Sequence, residues 1–502
     1  MNRSLSTTDR LPHTLYRAEQ VRELDRIAIE EQGIPGITLM ERAGAAAFHL
    51  LRSRLPSIAD ITLVCGIGNN GGDGYIIARL ALEAGLKVRV LQLGESDRIQ
   101  GDALTAATAY RAADGGVFPF QGLPRHTDLI IDALFGTGLE REVSGEWRQA
   151  LEAINDHPAP VLALDMPSGI HSDTGQVLGV AVSAVATISF IGLKQGLFTG
   201  DGPDYSGELF FNDLGLPGEV YGQLPASARR VDWWQQRTIL KRRSRTAHKG
   251  LFGHLLVVGG ERGYGGAVRM AGEAAARSGS GLVSIACRRE NLPLIAPGRP
   301  ELMCHGVEQG GDLAPLLRRA TVIAVGPGLG KSDWSLSLLQ QVLASRLPMV
   351  VDADALNLLA VEPEHRDNWI LTPHPGEAAR LLGCSTGEIA ADRFRAVVEL
   401  QKKFGGVALL KGAGSLVATG EGGPLMLCSD GNPGMATGGM GDLLAGIIAA
   451  LVAQGIDIEA AAVMGVSLHG AAGDWVARQG ERGMLASDLM PAIRRLINPE
   501  IL

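Results

Sequence analysis

Residues 61–84, ITLVCGIGNNGGDGYIIARLALEA, contain the pattern that decides the fold of the first half of the chain. The apolar run Ile61–Cys65 predicts a strand, Gly66–Gly74 predicts a glycine loop, and the following residues predict a helix to about Ala84. A strand, a glycine loop and a helix in this order are typical of a phosphate or dinucleotide site at the carboxyl edge of a parallel sheet. An Asn/Gly turn in which Asp73 caps the helix is the alternative interpretation.

Apolar runs separated by glycine loops continue along the whole chain. In the first half, further strands are predicted at Lys87–Leu93, Leu129–Ala133, Val161–Asp165, Ala186–Ile191 and Leu209–Asn212, with a helix at Gly101–Ala113. In the second half, strands are predicted at His254–Val258, Leu282–Ala286, Thr321–Val325, Met349–Ala355, Ile370–Thr372 and Val407–Leu410. Such repeated units indicate an α/β protein of two domains, each with a parallel sheet.

Polar side chains stand at three of the predicted strand ends in the first half. These ends carry, in chain order, Asn69 with Asn70, Asp132, and Asp165 with Ser168 shortly after it. Because the carboxyl ends of parallel strands lie on one edge of the sheet, we expect these side chains to converge on one crevice. Their oxygens suit ribose hydroxyls or a hard cation, whereas separate capping roles at each strand end are the alternative.

The second half contains a further glycine-rich stretch, Gly431–Asp442, which reads GNPGMATGGMGD and runs into the apolar segment 443–452. A glycine loop that opens a helix is an anion site, because small residues allow the backbone N–H groups to approach a phosphate. Asp442 at this entrance suggests a proton acceptor, although an acid favoured by the helix dipole is the alternative interpretation.

The length, composition and net charge of the chain exclude several classes of protein. The 502 residues are 46% apolar and 20% charged with a net charge of −8, so no general attraction to nucleic acid or membrane is expected. The sole basic run, residues 241–249, is interpreted as a solvated linker. The histidines show no ligand spacing, so no zinc site is assigned.

Five scattered cysteines without a CxxC motif indicate reduced thiols and a cytoplasmic location. Residues 1–17 lack an apolar core, and no run of 18 apolar residues occurs, so neither a secretory signal nor a membrane span is expected.

The domain boundary is predicted from a change in composition. Residues 223–245 are rich in arginine, glutamine and tryptophan and are interpreted as a linker between domains at 1–222 and 246–502. Residues 16–52 predict two helices with a break at Gly33–Gly36; this segment could also dock on another subunit, and we expect a homo-oligomer.

The motifs VCGIGNNGGDG, DALFGTGL and LDMPSG resemble those of the NAD(P)H-hydrate epimerase domain over about residues 16–222. The resemblance implies a Rossmann-like three-layer sandwich and a potassium ion held by Asn70, Asp132 and Ser168. It also implies that Asp165 is a catalytic and substrate-binding residue. The other substrate-binding residues that it implies are Asn69, Asn70, Gly71, Gly72, Asp73, Gly136, Thr137, Gly138, Leu139, Glu140, Arg141 and Glu142.

The motifs GPGLG, VDADALN, LTPHPGE, LKGAGS and NPGMATGGMGD, in this order, resemble the ADP-dependent NAD(P)H-hydrate dehydratase, a ribokinase-like fold, over about residues 246–498. The resemblance implies that Asp442 is catalytic. The implied substrate contacts are Ala267, Gly328, Gly330, His374 and Asp442. The implied nucleotide contacts are Lys411, Gly412, Ala413, Gly414, Ser415, Thr437, Gly438, Gly439 and Gly441.

The combined resemblance implies a bifunctional NAD(P)H-hydrate repair enzyme. Its substrates are the R and S hydrates of NADH and NADPH, NADHX and NADPHX, which the first domain interconverts. The second domain dehydrates the S form with ADP, giving AMP and phosphate, and magnesium accompanies the nucleotide phosphates. The choice of ADP over ATP follows from the resemblance alone. A ribokinase-like small-molecule kinase and a non-enzymatic nucleotide sensor are the alternatives.

Overall fold

The computed structural model describes residues 11–420 and 422–498, and the chain forms two compact units whose boundary lies between Arg229 and Arg230. Residues 1–17 are predicted not to form a secretory signal. The first ten of them lie outside the described residues. No described helix combines the length and the apolar character needed to cross a membrane. All five cysteines are free, which confirms that they form no disulfides.

The first unit is built on a seven-stranded parallel sheet, and three further strands among the described residues lie outside this sheet. The strands are β1 (Thr14–Tyr16), β2 (Asp60–Cys65), β3 (Lys87–Gln92), β4 (Val117–Pro119), β5 (Leu129–Ala133), β6 (Val161–Leu164), β7 (Ala186–Phe190), β8 (Leu193–Lys194), β9 (Glu208–Asn212) and β10 (Ala228–Val231), which crosses the unit boundary. The main sheet has the order β4-β3-β2-β5-β6-β7-β9. The strand order therefore reverses between β2 and β5, and such a reversal opens a crevice at the carboxyl edge.

Helices cover both faces of this sheet. They are α1 (Ala18–Arg26), α2 (Gly36–Arg54), α3 (Asn69–Glu83), α4 (Gly101–Ala112), α5 (Gly145–Asp156), α6 (Gly202–Ser206) and α7 (Gly218–Gly222), with a π-helical turn at Ile27–Glu31. Alternate residues of β2 point to opposite faces: Leu63 packs in the core with α1–α4, and Val64 packs in a second core with α5. The predicted three-layer sandwich is confirmed.

The start of α3 differs from the prediction. The glycine loop was expected to continue to Gly74, but α3 begins at Asn69 with Gly68 at the N-cap, so Asn69–Asp73 form its first turns. The interpretation of Asp73 as the N-cap is therefore wrong. Gly71 allows this early start, because a Cβ atom there would collide with the carbonyl oxygen of Gly66.

The second unit also has a mainly parallel sheet. Its strands are β11 (His254–Val258), β12 (Leu282–Cys287), β13 (Met303–Gly306), β14 (Val322–Val325), β15 (Met349–Val351), β16 (Trp369–Leu371), β17 (Val407–Leu410), β18 (Ser415–Ala418) and β19 (Leu425–Cys428). They follow the order β13-β12-β11-β14-β15-β16-β17-β18-β19, parallel up to β17 and antiparallel for β18 and β19. The prediction of a parallel sheet holds except at this antiparallel edge.

The helices of the second unit alternate with these strands. They are α8 (Trp233–Gln236), α9 (Gly265–Arg277), α10 (Leu292–Ile295), α11 (Ala314–Leu317), α12 (Asp333–Ala344), α13 (Ala353–Leu359), α14 (Pro375–Leu382), α15 (Thr386–Ala391), α16 (Arg393–Phe404), α17 (Met440–Ala453), α18 (Ile458–Ala477) and α19 (Leu489–Leu496). The predicted strand Met349–Ala355 is shorter than expected, because Ala353 and the residues after it begin α13.

The segment predicted as a linker carries regular structure. Within residues 223–245 the chain forms β10 and α8, and Trp233 is fully buried in the core of the second unit. The indole Nε1 of Trp233 donates to the carbonyl oxygen of Leu496 at 3.2 Å. The compact units thus divide inside this segment, at Arg229 and Arg230, and its second half belongs to the second unit. The basic run 241–249 is largely exposed, as expected for a solvated segment.

Candidate active sites

A cavity of about 490 Å³ lies in the first unit at the carboxyl edge of its sheet. Several of the predicted site residues line it, namely Asn69, Asn70, Asp73, Gly136, Thr137, Gly138 and Asp165. Asn70 and Asp165 both lie next to Gly136. A Cβ atom at Gly136 would lie 3.7 Å from Asn70 Cβ and 3.0 Å from Asp165 Oδ2. The structure thus brings Asn69, Asn70 and Asp165 into one crevice, whereas Asp132 and Ser168, which the sequence predicts there as well, are not among the residues that line it.

The remaining predicted residues of this unit lie elsewhere around the crevice. Gly71 and Gly72 face helix and backbone neighbours and give α3 its close packing. Leu139 is buried in the core with α5, whereas Glu140, Arg141 and Glu142 are exposed. The carboxylate of Glu140 lies 3.6 Å from the guanidinium of Arg22, which itself lines the cavity.

Asp132 and Ser168 form a fully buried polar pair. The Ser168 hydroxyl donates to Asp132 Oδ1 at 2.6 Å, and the Ser168 backbone N–H donates to Asp132 Oδ2 at 2.8 Å. Burial raises the pKa of Asp132 to about 6, although these hydrogen bonds favour its ionised form. Asn70 is also buried, and both atoms of its amide lack a hydrogen-bond partner among the described residues. An unpartnered buried amide is costly unless a ligand satisfies it.

Asp165 is held by a buried lysine that the sequence motifs do not single out. The Nζ of Lys194 donates to Asp165 Oδ1, to Ser189 Oγ at 3.1 Å and to the carbonyl oxygen of Phe190 at 3.0 Å. Lys194 is fully buried, and these three acceptors satisfy the donors of its amino group. Asp165 itself adopts a φ of 66°, a strained conformation for a non-glycine residue that is typical of functional sites.

The second unit has a polar site at the carboxyl ends of β15, β16 and β17. Lys411 follows β17, and its Nζ donates to Asp352 Oδ1 at 2.7 Å. The hydroxyl of Thr372, which follows β16, donates to the same oxygen at 2.9 Å. Burial lowers the pKa of Lys411, but the charges of Asp352 and Glu377 outweigh it and leave the pKa raised, so the ammonium is charged.

Asp442 lies in the first turn of α17, beside this ion pair. Burial, with the neighbouring charge of Asp352, raises the pKa of Asp442 to about 7. Gly441, the residue before Asp442, lies next to the ion pair of Lys411 and Asp352. A Cβ atom at Gly441 would lie 3.3 Å from Lys411 Nζ and 3.5 Å from Asp352 Oδ2. A carboxyl with a pKa near neutrality next to an ammonium can accept a proton at physiological pH.

Glu377 and His374 extend the polar site at the start of α14. His374 occupies the N-cap, where its Nδ1 accepts from the Gly376 N–H at 3.0 Å, and its ring is half exposed. Burial and the charge of Lys411 lower the pKa of His374, so the ring is neutral. Glu377 is buried, lies 3.9 Å from Lys411 Nζ, and burial raises its pKa to about 7. His374 thus combines a capping role with a position at the site.

Backbone groups around Lys411 are held by a buried arginine. The Arg393 guanidinium donates to the carbonyl oxygens of Lys411 and Gly414, and burial lowers its pKa to about 10. The Ser415 hydroxyl closes the Gly412–Ser415 turn by donating to the Gly412 carbonyl oxygen at 3.1 Å. At the other glycine loop, Gly439 has a φ of 92° and caps α17, after Thr437 and Gly438.

The other predicted substrate contacts of this unit lie in the loop after β14 and in the first turn of α9. A Cβ atom at Gly328 would lie 3.1 Å from the Cβ of Ala267, so these two positions face each other. The Gly330 N–H donates to Asp354 Oδ2 at 2.9 Å. Asp352, at the N-cap position of α13, and Asp354, in its first turn, contact site residues, and the Asp352 side chain makes no capping hydrogen bond.

Two mainly parallel sheets, the first with a polar crevice where its strand order reverses and the second with a polar site at the ends of β15, β16 and β17, define a two-site enzyme of the doubly wound α/β class. Two family models match the chain: one described as YjeF-related protein N-terminus over residues 36–196, and one described as NAD(P)H-hydrate dehydratase over residues 255–495.

Similar proteins cover almost the full length. A bifunctional NAD(P)H-hydrate repair enzyme of Coxiella burnetii is 51% identical over 97% of this chain and 99% of its own. The corresponding enzyme of Escherichia coli is 44% identical over 98% of this chain and 95% of its own. The chain belongs to the family of bifunctional NAD(P)H-hydrate repair enzymes. The crystal structure of a ribokinase-like superfamily protein from Enterococcus faecalis, 29% identical, matches 53% of this chain and 94% of its own with a TM-score of 0.50.

Proposed function

We propose that this chain repairs hydrated nicotinamide nucleotides with two active sites. The first unit interconverts the R and S forms of NADHX and NADPHX, and the second dehydrates the S form with ADP, giving AMP and phosphate. The observation that carries this proposal is the arrangement in the second unit. There the carboxyl of Asp442, with a pKa near 7, faces the ion pair of Lys411 and Asp352 at a glycine-rich helix start.

In the second unit, Asp442 accepts the proton of the ring hydroxyl, so that the oxygen attacks the terminal phosphorus of ADP and the bond to AMP breaks. The C–O bond to the transferred phosphate then breaks as the ring nitrogen supplies its electron pair, and loss of a ring proton restores the reduced nicotinamide. Lys411 and the Gly412–Ser415 turn bind the nucleotide phosphates. The backbone N–H groups at Thr437–Gly441 stabilise the developing negative charge.

Magnesium would accompany the nucleotide in this site. Within the described parts of the chain, no group of three or more His, Cys, Asp or Glu residues is placed to hold a metal ion. At nucleotide sites, magnesium takes most of its ligands from phosphates and water. Its charge would neutralise the phosphate oxygens.

In the first unit, the residues fit a potassium ion. Asn70 has a buried amide oxygen without a partner, and Asp132 and Ser168 add a carboxylate and a hydroxyl. Oxygen ligands of this kind suit a hard cation, and the ion would compensate the buried charge of Asp132. Asp165, held by Lys194, faces the cavity and would contact the substrate ring.

The test is incubation of the purified chain with the separated R and S hydrates, with and without ADP. We expect the absorbance of reduced nicotinamide to recover from the S hydrate only with ADP, and from the R hydrate through prior epimerisation. ATP in place of ADP tests the phosphate donor, and NADPHX in place of NADHX tests the substrate preference. Phosphorylation of an unrelated alcohol without recovery of NADH would favour a kinase, and binding without turnover would favour a sensor.

We also propose that the two activities are separable. The predicted fragments 1–222 and 246–502 would each keep one activity, and the unit boundary suggests the longer pair 1–229 and 230–502 as a comparison. Since Trp233 is fully buried in the second unit, fragment 230–502 should be more stable than 246–502. An insoluble 230–502 fragment beside a stable full chain would contradict separability. Light scattering on the full chain tests the predicted homo-oligomer.

A further inference from the structure

Three carboxyl groups in the cavity of the first unit have no assigned catalytic role. Asp25 from α1 and Asp102 from α4 line the cavity together with Asp73 from α3. None of the three carboxyls has a hydrogen bond or ion pair with a described residue, although each residue is only partly exposed. Asp25 lies on a helix that precedes residue 36, where the matching family model begins.

The positions of these acids depend on the local backbone. Gly36 stands directly against Asp102, so that a Cβ atom there would collide with the Asp102 carboxylate. Gly36 also lines the cavity, beside Asp25 and Asp102. The absence of a side chain at Gly36 therefore lets the carboxylate of Asp102 turn into the cavity.

The charge of the cavity is unbalanced. Four carboxyls line it, those of Asp25, Asp73, Asp102 and Asp165, against two cationic side chains, Lys194 and Arg22. Lys194 is already engaged by Asp165, and Arg22 lies near the exposed Glu140. Next to these carboxyls, such a charge distribution favours a group that becomes positively charged.

The chemistry of the hydrate supplies such a group. The hydroxyl stands on the ring carbon next to the ring nitrogen, so the nitrogen electron pair can form a C=N double bond while the C–O bond breaks. The oxygen leaves as water if an acid gives it a proton, and the ring becomes a cation. Water that adds to the other face and loses a proton to a base gives the other epimer.

We propose that Asp25 and Asp73 are the acid–base pair of the epimerase: one carboxyl protonates the departing hydroxyl while the other, ionised, accepts the proton of the incoming water. After each inversion the two carboxyls have exchanged roles, which is the state needed for the reverse reaction. Asp165, held by Lys194, stabilises the cationic ring between the two steps. This proposal rests on the proposed epimerase function of the first unit.

The electrostatics of the cavity support a shared proton. Burial and the charges of Asp102 and Asp165 raise the pKa of Asp25, against the opposing effect of Lys194. Burial and the charges of Asp165 and Asp25 raise the pKa of Asp73 well above its ordinary value. Because the charge of Asp25 favours the protonated form of Asp73, the two carboxyls can carry one proton while Asp25 is ionised.

The first experiment measures both activities of the full chain in Asp25→Asn, Asp73→Asn and the double variant. Each single variant should lose epimerase activity by roughly 10²–10⁴-fold, and the double variant should lose little more, because the two carboxyls act as a unit. Dehydration of the S hydrate with ADP should persist and serves as the folding check. Glu19→Gln, an exposed acid on the same helix, is the matched control and should leave epimerisation unchanged.

The second experiment needs no variant and follows the isotope of the ring hydroxyl in water enriched in oxygen-18. Each inversion by the wild-type chain should exchange the hydroxyl oxygen for one from the solvent. Retention of the original oxygen would overturn the proposal, because it excludes breakage of the C–O bond. Full epimerase activity in Asp25→Asn would also overturn it, whereas a wild-type chain without any epimerase activity would contradict the proposed function itself.

Discussion

Replacing Asp442 with Asn tests the proposed proton acceptor of the dehydratase most directly. The change preserves the size and shape of the side chain at the start of α17 but removes its basic oxygen pair. ADP binding should survive, because the contacts expected for the phosphates come from Lys411 and backbone groups of the glycine loops. Dehydration of the S hydrate should fall by roughly 10²–10⁴-fold, which corresponds to about 3 to 5 kcal/mol of activation free energy.

The wild-type pH profile follows from the same group. Only the ionised form of Asp442 accepts a proton, and its pKa of about 7 predicts that kcat/KM for dehydration rises with pH through neutrality and levels off above it. In Asp442→Asn this rise should disappear from the residual activity. Epimerisation in the same preparations should show no such change, since its site lies in the other unit.

The stability of the second unit should fall as the pH rises, whereas the dehydratase activity should increase. Because the pKa of Asp442 is higher in the folded chain than its ordinary 3.8, its contribution to stability is complete below pH 4 and is lost as the pH rises to about 7. At about 1.4 kcal/mol per pH unit, ionised Asp442 destabilises the fold by at most about 4 kcal/mol. Asp442→Asn should therefore melt a few degrees higher than the wild type at pH 8 and show little difference at pH 4.

The assay pairs both activities with a melting curve, and Asp457→Asn, at the exposed N-cap of α18, is the control for a general helix-start effect. Wild-type dehydration by Asp442→Asn would refute the reasoning and leave Asp442 as a helix-end residue. Equal loss of both activities would indicate a folding defect or a shared site and would equally contradict the two-site interpretation.

Three further predictions concern single contacts. Asp132→Ala removes the proposed charged ligand of potassium, so epimerase activity should collapse and the remaining activity should no longer respond to potassium, while dehydration persists; an unchanged potassium response would contradict the assignment. Trp233→Ala removes a fully buried indole, and calorimetry should show the second unit destabilised by about 3 to 5 kcal/mol, with a melting temperature lower by on the order of 10 °C. Arg393→Lys cannot reach the carbonyl oxygens of both Lys411 and Gly414, so the KM for ADP should rise with kcat little changed; an unaltered KM would show that the turn holds its shape without Arg393.

Several features of the fold follow from local sequence. The strands Leu129–Ala133, His254–Val258 and Val407–Leu410 are found at the predicted residues, because short apolar runs bounded by glycine or polar residues define buried strands without reference to the rest of the chain. The start of α3 at Asn69 was not predicted. Asn and Gly normally favour turns, and the tight packing of Gly71 against Gly66 overrides that preference.

The site residues also fall into two groups: those that the sequence indicates and those that only the packing of the chain reveals. The motif residues Asn70, Asp132 and Asp442 are recognisable in the sequence, because each stands at a strand end or helix start within a motif that contains glycines. Asp25 carries no such mark, since it lies within an ordinary amphipathic helix, and only the packing of α1 places it in the cavity. The burial of Trp233 is likewise invisible in a segment whose composition resembles a linker.

The sequence by itself determined the α/β class, the order of strands and glycine loops, and the motifs that indicate two nucleotide-related sites. Only the tertiary structure decided which charges meet: Lys194 with Asp165, 29 residues apart, and Lys411 with Asp352, 59 residues apart. Strand and turn preferences act over a few residues, whereas an ion pair between distant residues depends on strand order and burial. The pKa values on which the proposed chemistry rests are set by that burial and by those neighbouring charges.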